Sequence, residues 1–282
     1  MAGKFARSWD LVQASAAVLR SDKELLVFPL VSAIATVLVA ATFMLPIYGF
    51  GIYQHLGRGD PMRPILYVYS FLFYFVQYIV IFFFNTALVG AAMIRLDGGD
   101  PTVADGLRIA RSKILPIVGY AAIAATVGMV LRALEQRAGF IGRIVIGMIG
   151  VAWTLATFMV VPVLVTSDVG PVDAIKESAT LLKRTWGENL IGNGGIGVVF
   201  GLVTLAVMLV GMGITMVCAT NGMVPLAVVF GAVTVLAVLA IALVQSALAG
   251  IYSAALYRFA TDGHAPAGFD GEVLQQAFRL KA

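Results

Sequence analysis

The 69 residues from 189 to 257 contain no Asp, Glu, Lys or Arg. A membrane-spanning helix needs ~20 mostly apolar residues, since ~30 Å of hydrocarbon is crossed at 1.5 Å per residue. The stretch is too long for one such helix and about right for two. Ala219-Thr220-Asn221-Gly222, with Pro225 close behind, supplies the turn between them. Four further uncharged stretches cover 25–57, 64–94, 114–131 and 144–167. The pattern predicts an all-α, polytopic membrane bundle of six spans, near 26–50, 65–94, 114–133, 142–166, 190–217 and 224–257.

Composition agrees. Apolar residues make up 60% of the 282 and charged residues 12%, with a mean hydropathy of +0.96. Such a chain is no soluble enzyme, disordered segment or nucleic-acid-binding domain. The formal charge of +4 implies no nucleic-acid partner, because the basic residues lie in short loops rather than along one exposed stripe. Cys218 is the single cysteine and cannot form an intramolecular disulfide. Residues 9–19 include Asp10 and Gln13 and make a poor signal-peptide core, so no cleaved leader is expected.

The basic residues also predict orientation. With six spans, fourteen Lys and Arg fall on the side of the two termini and five on the other, namely Arg58, Arg63, Arg132, Arg137 and Arg143. The positive-inside rule then puts both termini in the cytoplasm.

A short amphipathic pattern precedes each odd-numbered span. Phe5, Trp9, Val12, Ala16 and Leu19 form one apolar stripe; Val103, Leu107, Ala110 and Ile114 a second; Val172, Ile175, Ala179, Leu182 and Trp186 a third. Spacings of three and four residues place each set on one helix face. A fourth such segment begins at Asp270. Trp9, Trp186, Lys176, Lys183 and Arg184 are expected to anchor these helices at the cytoplasmic interface. The chain thus reads as one membrane domain over 1–282, with three parallel units of interfacial helix plus hairpin at about 5–94, 101–166 and 171–257, then a cytoplasmic tail at 258–282. Two spans share local sequence, Asn85-Thr-Ala-Leu-Val-Gly and Gln245-Ser-Ala-Leu-Ala-Gly.

Ser8-Trp9, RSDKELLVFPL at 20–30, LDGGDPT at 96–102, TWGENLIGNGGIG at 185–197 and YRFATDGHAPAGFD at 257–270 resemble an uncharacterised family of bacterial and archaeal six-span integral membrane proteins. More distantly, the layout looks like the membrane domain attached to some glycerophosphodiester phosphodiesterases. The chain lacks a phosphodiesterase domain, and neither His55 nor His264 has an acidic cluster beside it, so that activity is not carried over.

No nucleophile-and-base constellation is legible. His55 and His264 fall on opposite sides of the predicted membrane, and HExxH, paired CxxC, GxSxG and P-loop patterns are absent. Asp97, Asp100 and Asp105 form the one local acidic group; Gly98-Gly99, Pro101 and Thr102 make it read as a turn and a helix start with Thr102 as N-cap, not a metal site. No cofactor is expected. The span interiors hold no Asp, Glu, Lys, Arg or His, which counts against a proton-coupled pump.

The polar residues within spans are Gln77, Asn85, Asn193 and Gln245. They read as interhelical hydrogen-bonding groups, worth ~0.6 kcal/mol each on average, or as a polar collar around a cavity. Gly197-xxx-Gly201 reads as a close-packing seam, with a ligand-lined helix break as the alternative. Ten aromatic residues crowd positions 65–84, more than an interfacial belt needs, and point to lipid, a partner surface or an apolar groove. The function expected is that of a non-catalytic, lipid-binding accessory or scaffold, with membrane lipids and another membrane protein or a second copy as partners. The alternative is a transporter or channel for a lipid or small solute.

Overall fold

A computed structural model describes residues 4–49, 63–186 and 195–262. Among them ten α-helices run in the order α1 (Lys4–Ser21), α2 (Val27–Gly49), α3 (Arg63–Leu96), α4 (Val103–Ser112), α5 (Ile114–Arg137), α6 (Phe140–Ala156), α7 (Val160–Thr166), α8 (Pro171–Trp186), α9 (Gly195–Thr220) and α10 (Val224–Asp262). A 3-10 turn at Lys23–Leu26 leads into α2. No strand occurs among the described residues. Among the described residues six stretches are long and apolar enough to cross a membrane: Lys23–Ile47, Ile65–Leu96, Ile114–Arg137, Phe140–Thr166, Val199–Thr220 and Val224–Asp262. They match the six expected spans, and the shortest expected one, at 114–133, extends to Arg137.

The fourth span is not one helix. It breaks at Thr157–Met159, between α6 and α7. Pro162 explains the break: it has no N–H to offer the carbonyl four residues back, and its ring crowds that carbonyl. The exposed backbone is repaired from outside the span, because the buried Met159 N–H donates to Ser178 Oγ of α8 at 3.0 Å.

The buried core lies at one end of the bundle. It is formed by the C-terminal part of α3 (Ala87 to Leu96), by α7 and by the C-terminal part of α10 (Ala247 to Phe259). These three segments pack on one another. The amphipathic helices cover them: α4 packs on α3, α8 on α7, and α1 on α10. This end of the molecule is called the near end below. Close approach is required at Gly106, where a Cβ would meet the Ala87 carbonyl oxygen at 2.6 Å and Phe28 Cζ at 2.5 Å.

The described part of the α8 stripe is therefore spent largely on protein. Ala174, Ser178 and Leu182 of α8 are buried and Ile175 packs against the core, while Lys176 and Lys183 remain exposed. A membrane surface is left with Val172, 52% exposed. Trp9, Arg184 and Trp186 occupy α1 and α8, but their side chains lie outside the described residues, as does Asn193.

Toward the far end the hairpins separate. No described side chain of α9 is buried, and in α10 before Ala247 only Ala227 is. Helices α3 and α10 have 34 and 39 residues, hence lengths of about 51 and 58 Å at 1.5 Å per residue. Both exceed a ~30 Å hydrocarbon layer, so each continues beyond it or tilts.

Two helix ends use a left-handed glycine. After α9, Gly222 (φ +74°) lets its N–H reach Ala219 O at 3.2 Å and Met223 N–H reach Cys218 O at 2.9 Å. After α3, Gly98 (φ +87°) allows the same two bonds, to Arg95 O and Ile94 O. The turn expected at 219–222 is thus a glycine-capped helix end.

Candidate functional site

Two clefts combine polar groups with apolar walls. The first, of about 240 Å³, opens between α2, α3 and α10 toward the near end. Phe28, Pro29 and Ser32 of α2 form one wall; Ile81, Phe84, Asn85 and Leu88 of α3 a second; Ser246, Ala249, Gly250 and Ser253 of α10 a third; and Phe158, from the break in the fourth span, closes the floor. Its polar atoms come from Ser32, Asn85, Ser246 and Ser253. Ser253 spends its hydroxyl proton on the Gly250 carbonyl at 2.9 Å. Asn85 forms no hydrogen bond with another described residue. Its Oδ1 lies 3.6 Å from the position of a Gly250 Cβ, and Leu88 Cδ2 lies 2.5 Å from it, so glycine at 250 lets α10 close on α3.

The two similar stretches, 85–90 and 245–250, therefore face each other across one cleft. Asn85 contributes to its lining; Gln245 does not, and Ser246 takes that place. Gln77 behaves differently. Its Nε2 donates to Thr36 O of α2 at 3.2 Å, an interhelical bond, while Oε1 is buried without a partner among the described residues.

The second cleft, of about 360 Å³, lies between α3, α5 and α6 toward the far end. Tyr74 and Tyr78 line it from α3, Gly128, Arg132 and Glu135 from α5, and Ile146, Gly147 and Gly150 from α6. The Arg132 guanidinium carbon sits 5.4 Å from the Tyr74 ring centroid, and Nη1 donates to the Tyr74 hydroxyl. Residues Tyr74, Tyr78, Ile81, Asn85 and Leu88 repeat at spacings of four and three, so a single face of α3 lines both clefts. Sequence reading singled out Asn85 but not this stripe, which alternating four- and three-residue spacing within the aromatic run could have revealed.

The aromatic run is half-buried. Of the ten rings only Tyr67 is exposed. Phe82 stacks on Tyr120 of α5 with centroids 4.3 Å apart, and Phe43 of α2 packs on Tyr69 and Phe73 at 5.3 and 5.5 Å. The rings join α3 to its neighbours instead of presenting one broad outward face.

The glycine seam lies elsewhere than expected. Among the described residues a Cβ at Gly197 or Gly201 meets nothing within 4 Å, and both residues are exposed. The tight crossing of α9 and α10 is at Gly211, whose added Cβ would collide with the Thr234 side chain. Thr215 of α9 in turn faces Gly231 of α10, Cγ2 at 3.8 Å. An apolar groove beside this crossing is lined by Met208, Met212 and Met216.

Charged groups concentrate at the near end and work structurally. Arg258 of α10 pairs with Asp97, Arg95 with Asp100 at 3.2 Å, and Lys113 with Asp168 at 3.4 Å. Thr102 caps α4 in a reciprocal box with Asp105, as expected for that acidic group. The hydrogen bonds from Thr102, with Arg108 nearby, hold the Asp105 carboxyl below its usual range. Asp22 is the opposite case. Burial pushes its carboxyl up, against the Glu24 N–H at 3.2 Å and the more distant charge of Arg95. No group of three or more metal-ligating side chains occurs among the described residues.

Residues 64–269 match the family model described as a family of unknown function, DUF6159. The chain belongs to that family. The match takes in both clefts' α3, α5, α6 and α10 walls and leaves α1 and α2 outside. No curated protein matches the chain.

Proposed function

We propose that the protein is a non-catalytic, multi-pass component of a prokaryotic cytoplasmic membrane, with both termini cytoplasmic, that acts by holding lipid in clefts between its hairpins. The cleft at Asn85 carries this reading. It offers hydroxyl and amide groups along an otherwise apolar wall, the pattern that receives an amphiphile. Three parallel units underlie the design. The cyclic packing of α4 on α3, α8 on α7 and α1 on α10 supports them. So does a shared signal after each unit: Asp97-Gly98-Gly99-Asp100-Pro101, Asp168-Val169-Gly170-Pro171 and Asp262-Gly263-His264-Ala265-Pro266.

The test is to purify the chain in mild detergent and identify bound lipid by mass spectrometry. Asn85→Leu should keep the fold and lose bound lipid; equal lipid in parent and variant would refute the assignment. Labelling a cysteine placed after Lys281 from outside intact cells tests the orientation, and labelling there would reverse it.

A second reading, a lipid carrier, is favoured by one observation. The stripe from Tyr74 to Leu88 touches the far and near clefts in turn. Movement of a fluorescent lipid between leaflets of reconstituted vesicles, absent from protein-free vesicles, would select this reading over a static scaffold.

A further inference from the structure

The far cleft has features that lipid holding in general does not require. Three of its lining residues are glycines, and they are not there for close packing. Among the described residues an added Cβ at Gly147 or Gly150 meets nothing within 4 Å, and at Gly128 it meets only the Tyr78 hydroxyl at 3.6 Å. Glycine costs ~1 kcal/mol relative to alanine in a helix interior. Here it leaves a channel between α5 and α6.

The channel has two charges at its mouth. Arg132 interacts with Tyr74, a neutral partner, and among the described residues it has no carboxylate within ion-pair distance. Glu135, one turn further along α5, is exposed and likewise forms no ion pair among the described residues. Neither charge answers the other although they are three residues apart. A guanidinium binds phosphate through paired N–H donors, and a carboxylate accepts from an ammonium group.

Building on the lipid-holding reading above, we infer that the cleft between α3, α5 and α6 takes a zwitterionic phospholipid with a primary ammonium headgroup. Its phosphate sits at Arg132, its ammonium at Glu135, and one acyl chain follows Gly147 and Gly150 into the bundle. Tyr74 holds the guanidinium at the cleft mouth until the phosphate arrives. Phosphatidylglycerol satisfies Arg132 but offers the Glu135 carboxylate only neutral hydroxyl donors in place of a cation, so the pair discriminates between headgroups.

The experiment is native mass spectrometry of the full chain in detergent with phosphatidylethanolamine and phosphatidylglycerol supplied in equal amounts. The parent should retain phosphatidylethanolamine in preference. Glu135→Gln should reduce that preference about tenfold, the effect of one charge-assisted hydrogen bond, without reducing phosphatidylglycerol. Arg132→Gln should lose the lipid of this cleft whichever headgroup it carries, and leave that of the cleft at Asn85. Gly150→Leu fills space that no described atom occupies, so it should keep the parent's helicity and still retain less of either lipid. Equal retention of the two lipids by the parent, or parental retention by Arg132→Gln or Gly150→Leu, overturns the inference. If Asn85→Leu loses lipid while those two variants do not, this site fails and the general reading stands; if none of the three loses lipid, both fail.

Discussion

Gly211 of α9 and Thr234 of α10 meet so closely that a methyl group at 211 would stand 2.8 Å from Thr234 Cβ, with the Thr234 hydroxyl nearer still. That hydroxyl is not free to turn away cheaply, since it donates to the Phe230 carbonyl at 2.7 Å. Small residues at such crossings let two backbones approach where lipid supplies no hydrophobic drive. Gly211→Leu should therefore lower the melting temperature of the purified protein, while Gly201→Leu should leave it unchanged. Thr234→Gly should restore part of the loss in Gly211→Ala. A Gly211→Leu protein as stable as its parent would show that the α9–α10 pair contributes nothing to the measured unfolding.

Gly106 is the equivalent point for α4. The atom facing an added Cβ is the Ala87 carbonyl oxygen, part of a helix backbone that cannot step aside. Gly106→Ala should destabilise by ~1–3 kcal/mol, the usual cost of overpacking. Gly147→Ala, on open ground, should be neutral or mildly stabilising through helix propensity. Thermal unfolding of the two variants side by side checks the contrast.

Ser178 tests the break in the fourth span. Ser178→Ala removes the acceptor for the buried Met159 N–H. An unsatisfied buried donor costs ~1–3 kcal/mol, and Ser178→Cys should recover little, because sulfur is a weak acceptor. Unfolding midpoints of both variants, with hydrogen exchange at Met159, provide the measurement.

Asp22 and Asp105 respond to pH in opposite senses. The folded carboxyl of Asp22 is raised by burial, so its contribution to stability is full below the unfolded value and is lost as pH rises through the folded one. Asn can still accept from the Glu24 N–H and carries no charge. Asp22→Asn should thus raise stability at neutral pH, whereas Asp22→Ala should forfeit the cap, at ~1 kcal/mol. Asp105 is lowered by its bonds with Thr102, so its contribution is present above the usual carboxylate range and lost as pH falls through the lowered value. Thr102→Ala should flatten the acid side of the stability profile; a profile identical to the parent's would dismiss the capping box as its source.

The spans were legible because length and absence of charge are one-dimensional properties. The turn at Asn221-Gly222 and the cap at Thr102 were legible because both are local. What escaped was pairwise. Gly197 and Gly201 have the right spacing for a seam, but a seam requires a neighbour, and only the three-dimensional path of α10 assigns that role to Gly211. The stripe of α8 gives a correct helix and face, yet periodicity does not distinguish a lipid surface from the side of α7. Pro162 was visible throughout; its effect went unread because an apolar run conceals a short interruption.

The docking of α1 on α10 also fixes an order of events. Val18 and Leu19 share one buried cluster with Leu256 and Phe259, from the far end of the amino-acid order. At synthesis rates of ~5–20 residues per second, the first helix emerges tens of seconds before its seat exists. Throughout that interval its apolar side must rest on lipid or an assisting protein. The bundle is thus closed by α10, made after the five other spans described, and a chain stopped before residue 247 would leave both α1 and the core unfinished.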